Sequence, residues 1–381
     1  MSYTKIGGIQ IFVIIALIYL VYAYLVQPKS KNNVLNTSEH GIISYKKFII
    51  WSIPALLIGL YYDKSDALYF YVYSLLPYLL YQKTKNLEID IRTCLYAAEI
   101  SVLIVIALGW AIYFGVLPID FLYKDVTEAE YGLGYWGISY LASSRNHDYM
   151  YPLACTAISL FLFKNGKSSI SKILQLVIFG VCELTLLASL ARGGMIASFV
   201  YICLMYISLK KQDRLKFFGC VLVVLIIFGS VFQSLFESTF ENIFLSIFGI
   251  TKQTSYGGNF SNDIRKVIYW DAISSAAVNP IGYGIQNFSI TSKIGGGSAE
   301  NAYLTLLVER GWLATYFFIK FLWKQWKDIK EVPNRKDCLN FYLVPSIAIY
   351  FLFNYEFTSY MCVFVFFLMM IGGKSLNNKK I

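Results

Sequence analysis

The chain has 381 residues, of which 57% are hydrophobic, 18% are aromatic and only 15% are charged. Soluble domains carry about 25% charged residues, so this composition excludes an ordinary soluble enzyme and favours a helical membrane protein. The net charge of +10 does not indicate nucleic-acid binding, because cytoplasmic loops of membrane proteins retain Lys and Arg.

Apolar segments predict an all-α, polytopic integral membrane protein with about eleven transmembrane helices in a single domain over 1–381. In chain order the segments cover residues 6–26, 48–62, 67–81, 94–117, 149–163, 173–190, 195–209, 217–232, 301–322, 341–353 and 357–373. Several are shorter than the roughly 20 residues that cross a bilayer, so we expect their ends to include flanking Tyr, Ser or Lys.

The basic residues predict the orientation. Alternate loops hold 23 of the 33 Lys and Arg residues, and such loops are cytoplasmic in most membrane proteins. The amino terminus is therefore predicted to lie outside and the carboxyl terminus in the cytoplasm. Neither a disulfide framework nor a metal site is expected, since the seven cysteines form no CxxC pair and the chain has only two histidines.

Two outward-facing segments are long, an outer loop at 118–148 and a large loop at 233–300. In the second, Asn262 or Asp263 could cap a helix whose apolar face includes Ile264, Val267, Ile268 and Ala272. We therefore predict an amphipathic helix near 262–277, lying at the outer membrane surface. A Pro280-x-Gly282-x-Gly284 turn follows it.

Several charged residues stand near or inside the apolar segments. Arg192 lies between two of these segments. A charged residue there favours a functional role in a water-filled position. An interfacial arginine in a two-glycine turn would also explain it. Arg265 could equally be solvated or bound to lipid phosphate. Glu99 and Glu183 are expected to face the bundle interior, either for proton coupling or as structural hydrogen-bonding groups.

The outer loop ends in Arg145-Asn146-His147-Asp148. A histidine beside an aspartate could serve as a base and its orienting group, but adjacent residues point in different directions. The ordinary polarity of a loop explains the segment as easily.

The order of these motifs resembles the bacterial O-antigen polymerase and O-antigen ligase family. The resemblance covers roughly residues 140 to 320. It rests on the segment from Ser189 to Gly194, Arg265 followed by the Pro-x-Gly-x-Gly turn, Glu300-Asn301-Ala302-Tyr303-Leu304 at the start of a span, and Glu309 with Gly311. The family's motif has His where this chain has Glu300, and this departure favours a polymerase over a ligase.

The resemblance implies a glycosyltransferase of the bacterial inner membrane that needs neither metal nor cofactor. Its donor would be a chain on undecaprenyl diphosphate, and its acceptor would be a lipid-linked repeat unit on the periplasmic face. A chain-length regulator is a possible partner. Glu300, Arg192 and Arg265 are the predicted catalytic residues. The predicted substrate-binding residues are Arg145, Asn146, His147, Asn301 and Tyr303. An O-antigen ligase and a lipid-linked oligosaccharide flippase remain the alternatives.

Overall fold

The computed structural model describes residues 5–6, 9–10, 39–62, 66–84, 91–117, 150–166, 168–188, 192–231, 258–291, 301–327, 336, 338–354 and 360–372. These residues form thirteen helices and one short strand pair. The helices are α1 (Glu39–Trp51), α2 (Ile53–Tyr61), α3 (Asp66–Thr84), α4 (Ile91–Tyr113), α5 (Met150–Asn165), α6 (Ser169–Ala188), α7 (Arg192–Ser208), α8 (Lys211–Val231), α9 (Gly258–Val278), α10 (Phe288–Thr291), α11 (Ala302–Lys327), α12 (Asn340–Phe353) and α13 (Tyr360–Ile371). Apart from this strand pair, the described elements are helical, as the predicted all-α class requires.

The strand pair lies at the beginning of the first predicted span, 6–26. Strands β1 (Lys5–Ile6) and β2 (Ile9–Gln10) are antiparallel, so a helix beginning at residue 6 is wrong. The sequence has Gly-Gly between the strands, a dipeptide favoured in two-residue hairpin turns. The rest of this predicted span lies outside the described residues.

Three described helical stretches are long and apolar enough to cross a membrane, namely Gly41–Tyr61, Arg92–Ile112 and Ser169–Ala188. Gly193–Ser208, Asn340–Phe353 and Cys362–Ile371 are shorter apolar helices. The chain is thus an integral membrane protein, whereas the count of eleven spans stays a prediction.

Helix α1 begins nine residues before the predicted span at 48–62. Its buried side chains include Ile42, Tyr45 and Ile49, and this three-and-four spacing continues a helical face upstream of the apolar segment. Lys46 and Lys47, which the charge pattern assigned to a loop, are exposed residues of this helix. The ammonium of Lys47 lies 5.4 Å from the centroid of the Phe317 ring, a favourable cation–π contact.

An aromatic core joins α1 to α11. The ring centroids of Tyr45 and Phe321 are 4.7 Å apart, and those of Phe48 and Phe318 are 5.4 Å apart. Since the residue numbers rise along one helix as they fall along the other, the two helices are antiparallel. Phe366 of α13 closes this core with its ring 5.7 Å from that of Phe318, and such pairs add about 0.5–1.5 kcal/mol each beyond area burial.

The helix termini meet at two opposite ends of the bundle. At one end, here called the basic end, three contacts join termini: Lys172 Nζ with Asp213 at 2.9 Å, Tyr342 Oη with Ser208 Oγ at 2.8 Å, and Asn340 Nδ2 with Gln325 Oε1 at 3.0 Å. At the other, the distal end, Trp110 Nε1 donates to Thr185 Oγ1 at 3.0 Å and Asn301 Nδ2 to the Leu352 carbonyl at 3.0 Å. The described helices in these contacts therefore alternate in direction.

Candidate functional site

Helix α11 is broken at Gly311, ten residues after its first turn begins at Asn301. Gly311 has φ 79° and ψ 178°, a conformation reached almost exclusively by glycine. The break frees backbone groups of α11 for other partners. The Val308 and Glu309 carbonyls accept hydrogen bonds from the backbone N–H groups of Tyr283 and Gly284, at 2.8 and 3.0 Å.

The Pro-x-Gly-x-Gly turn fills this break. The Trp312 N–H donates to the Pro280 carbonyl at 2.9 Å, so the turn satisfies both sides of the broken helix. A Cβ on Gly282, whose φ is 96°, would lie 2.6 Å from the Glu309 carbonyl oxygen. The motif found in the sequence is thus a close backbone-to-backbone joint, and glycine is required on both sides of it.

Non-helical backbone inside a membrane bundle must be fully hydrogen-bonded by protein. In this turn Asn279 Nδ2 donates to the Gly282 carbonyl and Asn287 Nδ2 to the Tyr283 carbonyl, both at 2.9 Å. The Ile285 N–H donates to the Ala55 carbonyl of α2 at 3.0 Å. These bonds explain how an irregular segment is accommodated between α2 and α11.

Helix α9 leads into this turn and packs lengthwise on α11. Its buried residues Ile268, Ala272 and Ala276 form one apolar cluster with Phe288 and Val308. Trp312 Nε1 donates to the Ala276 carbonyl at 2.8 Å. The helix is therefore docked against α11 at its carboxyl end, while its predicted position at the outer membrane surface stays a prediction.

The apolar face predicted for α9 is only partly covered by protein. Ile268 and Ala272 are buried, whereas Val267 is 41% exposed, and Trp270, outside that face, is 69% exposed. The physical reason is that large apolar residues gain nothing by facing inward when lipid surrounds the protein, whereas small residues allow helices to approach closely.

Backbone placement brings two predicted catalytic positions, Arg192 and Arg265, to the distal end. Ala276 meets Trp312, and both Arg265 and Asn301 precede their partners by eleven residues, about 16 Å of helix. Leu304 and Leu307 of α11 pack against the cluster that contains Ile268 and Ala272, so the two helices run parallel and the backbone of Arg265 lies near the level of Asn301. Arg192 is the first residue of α7, and the carboxyl end of α7 contacts the start of α12. Arg192 therefore lies near the carboxyl end of α12, where Asn301 also lies.

Asn301 and Tyr303 use their side chains within the protein. Asn301 Oδ1 accepts the Leu304 N–H at 3.1 Å and caps α11, while Tyr303 Oη donates to the Ala348 carbonyl at 2.8 Å. With the Asn301–Leu352 bond, these contacts join α11 to α12. The predicted binding of substrate by these two residues stays a prediction.

The cap predicts a distinct response to substitution. We expect Asn301→Ala to lower the free energy of unfolding by about 1–2 kcal/mol, since it removes both the cap and the bond to Leu352. Asn301→Ser keeps a capping oxygen and loses only that bond, so its melting temperature in detergent should lie between those of Asn301→Ala and the parent chain. Equal melting temperatures of all three would contradict the capping role.

Four predicted site residues, Glu300, Arg145, Asn146 and His147, lie outside the described residues. Arg192 and Arg265 are described as members of their helices but not in their side chains. In the part of the chain that the structure describes, no three His, Cys, Asp or Glu side chains are grouped to hold a metal.

Arg310 is a buried charge that sequence reasoning missed. Its side chain is 1% exposed, immediately before the break. The guanidinium lies 5.3 Å from the Phe48 ring centroid, and its nitrogens lie 3.4 Å from Ser52 Oγ and 3.5 Å from the Phe70 carbonyl. Arg310 thus ties the broken helix to α1 and α3. The signal in the sequence was the presence of a charged residue inside the predicted span 301–322.

Glu99 and Glu183 face the interior as expected. Gln175 Nε2 donates to Glu99 Oε2 at 3.1 Å, and Ser198 Oγ lies 2.7 Å from both carboxyl oxygens of Glu183. Gln175 and Ser198 are neutral partners. The structural hydrogen bonds, one of the two roles expected for these glutamates from the sequence, are therefore present.

Comparison with protein families matches residues 175–319 to the O-antigen ligase family. No curated protein matches the chain. The matched segment runs from α6 into α11 and contains Arg192, Arg265, the turn at 280–284, Glu300 and the break at Gly311, which are the motifs on which the resemblance rests. Residues 175–319 of this membrane protein are thus similar to the O-antigen ligase family.

Proposed function

We propose that the chain is a polymerase that joins undecaprenyl-diphosphate-linked oligosaccharide repeat units into O-antigen or a similar surface polysaccharide. The observation that supports this proposal is the backbone placement of Arg192 and Arg265 at the distal end of the bundle, within the segment that matches the O-antigen ligase family. Glu300 in place of the family's histidine favours polymerisation over transfer to lipid A core.

The proposed reaction is an inverting displacement at the anomeric carbon of the donor chain. The acceptor hydroxyl oxygen bonds to that carbon, the bond to the diphosphate oxygen breaks, and Glu300 takes the hydroxyl proton. The electron pair leaves with the diphosphate, whose growing charge needs fixed cations. Arg192 and Arg265 supply planar guanidinium groups suited to two-point phosphate binding. Arg145, Asn146, His147, Asn301 and Tyr303 are proposed to bind the sugars.

The second candidate is a ligase, which the description of the matching family model favours. The third, a flippase, is favoured by charges inside the helices, such as Arg310 and Glu183. Surface polysaccharide from a deletion strain separates the three. A core carrying a single repeat supports the polymerase. Long chains left on the lipid carrier indicate a ligase, and absence of assembled repeats outside indicates a flippase.

The proposed orientation puts the distal end in the periplasm of a bacterial inner membrane, with the amino terminus periplasmic and the carboxyl terminus cytoplasmic. A chain-length regulator would then approach from the periplasmic side. We expect an impermeant thiol reagent to label a single cysteine at 233–257, but not one at 328–335, in intact spheroplasts. Labelling of the second position and not the first would reverse the topology.

Glu300 is proposed as the base, so Glu300→Gln should abolish polymer while the protein still inserts. Glutamine keeps the shape and most hydrogen bonds but accepts no proton. A residue that only favours the helix amino end contributes about 0.3–1 kcal/mol and would leave polymer normal. Glu300→His should restore some activity, and Glu237→Gln in the same outer loop is the control. Normal chain length in Glu300→Gln would remove Glu300 from the mechanism.

A further inference from the structure

Glu183 and Ser198 face each other across the hairpin of α6 and α7. Ser198 Oγ lies 2.7 Å from Oε1 and 2.7 Å from Oε2 of Glu183, and both side chains are buried. A serine hydroxyl has one hydrogen to donate. If the carboxyl group were ionised, the two oxygens would have to share that single hydrogen in a bifurcated bond.

A protonated carboxyl group gives each contact a hydrogen of its own. One carboxyl oxygen then donates its hydrogen to Ser198 Oγ, and Ser198 donates its own hydrogen to the other oxygen. The two 2.7 Å contacts are then separate hydrogen bonds, at a length typical of O–H donors. A neutral acid and a hydroxyl group together supply the two hydrogens.

Among the described side chains, none places a positive charge beside Glu183 to balance an ionised carboxyl group. The titratable groups on which Glu183 acts are Cys182 of α6, Tyr201 of α7 and Cys220 of α8, and Glu99 of α4 and Cys155 of α5 act in turn on Cys182 and Tyr201. These groups are thiols, a phenol and a second carboxyl group. An unbalanced carboxylate inside a membrane bundle is strongly disfavoured.

We propose that Glu183 binds a proton in the working protein and forms with Ser198 a neutral, doubly hydrogen-bonded clasp that positions Arg192. Ser198 follows Arg192 by six residues, about 9 Å along α7, so the clasp fixes the register of α7 against α6 close to its first turn. Gly193 and Gly194 are buried there. Glu183 is thus a positioning residue. This positioning role rests on the proposed function, whereas the binding of a proton by Glu183 does not depend on it.

Glu183→Gln tests the bound proton, because glutamine reproduces the clasp without a titratable group. Its amide nitrogen donates to Ser198 Oγ, and its carbonyl accepts from Ser198. We expect the infrared spectrum of the purified parent chain to contain a carboxylic-acid C=O band that this variant lacks. Glu99→Gln, which alters the other buried carboxyl group, should keep that band. No difference between the parent chain and Glu183→Gln would overturn the proposal.

The pH profile tests the positioning role. Loss of the proton breaks the clasp, so melting temperature and polymer yield of the parent chain should both fall as pH rises, while Glu183→Gln keeps both. Ser198→Ala should lower both at every pH. Identical pH profiles, or a folded Glu183→Gln that makes no polymer, would contradict the clasp. If the band is present but the parent chain never polymerises, the proposed function fails and the proton site stands.

Discussion

Gly311→Ala should prevent the chain from folding stably or accumulating in the membrane. Alanine at the φ and ψ of Gly311 is strained by about 1–3 kcal/mol, and its Cβ would overlap the Ile281 and Pro280 carbonyls. Neither group can move cheaply, because the Pro280 carbonyl already accepts the Trp312 N–H. We expect a loss of roughly 3 kcal/mol or more in the free energy of unfolding, measured as melting temperature in detergent and as protein level.

Gly219→Ala is the matched control for this prediction. Gly219 lies within α8 and a Cβ there would meet nothing within 4 Å. Because alanine favours a helix over glycine by about 1 kcal/mol, this variant should be as stable as the parent chain or slightly more stable. A Gly311→Ala protein with the melting temperature of Gly219→Ala would show that the break is not needed.

Arg192→Lys and Arg265→Lys should each lower polymerisation about 100-fold or more at equal protein level. Lysine keeps the charge but replaces a planar, two-point donor with a single ammonium group, and loss of one preorganised donor typically costs that much in rate. Polymer yield per inserted protein is the measurement. An interfacial arginine that only anchors the helix would be replaced by lysine without loss.

Arg214→Lys at the basic end controls for the general effect of this substitution. Arg214 has defined partners, with Nε donating to the Leu209 carbonyl at 3.0 Å and its guanidinium 5.4 Å from the Tyr206 ring centroid. It lies far from the distal end, so its variant should polymerise normally. Wild-type chain length in Arg192→Lys would remove Arg192 from the proposed site.

The alternation of helices was predictable because apolar length and basic loops are properties of single segments. The Pro-x-Gly-x-Gly turn could also be identified, since Gly282 is a local signal. The insertion of this turn into the break of α11 could not be identified, because backbone hydrogen bonds hold it there. The accepting carbonyls, those of Glu309 and Pro280, are groups that any sequence supplies. Contacts of this kind leave no mark on the sequence except the glycines that permit them.

Hydrophobicity also misleads within a membrane protein. The apolar face predicted for α9 did not show which of its residues protein would cover, because lipid and protein interior are both apolar. Size rather than hydropathy separates buried Ala272 from exposed Val267. Arg310 was overlooked for a related reason. A single buried charge hardly changes the mean hydropathy of a span, and its partners Ser52 and Phe70 are remote in sequence.

The most direct test of the account is elongation by the purified chain. The protein, reconstituted in lipid nanodiscs, is supplied with undecaprenyl-diphosphate-linked single repeat units, and the products are separated by length. The account predicts a ladder of two or more repeats on the lipid carrier, absent from the Glu300→Gln protein. Transfer of sugar to lipid A core with no elongation of the lipid-linked repeats would contradict it and identify the chain as a ligase.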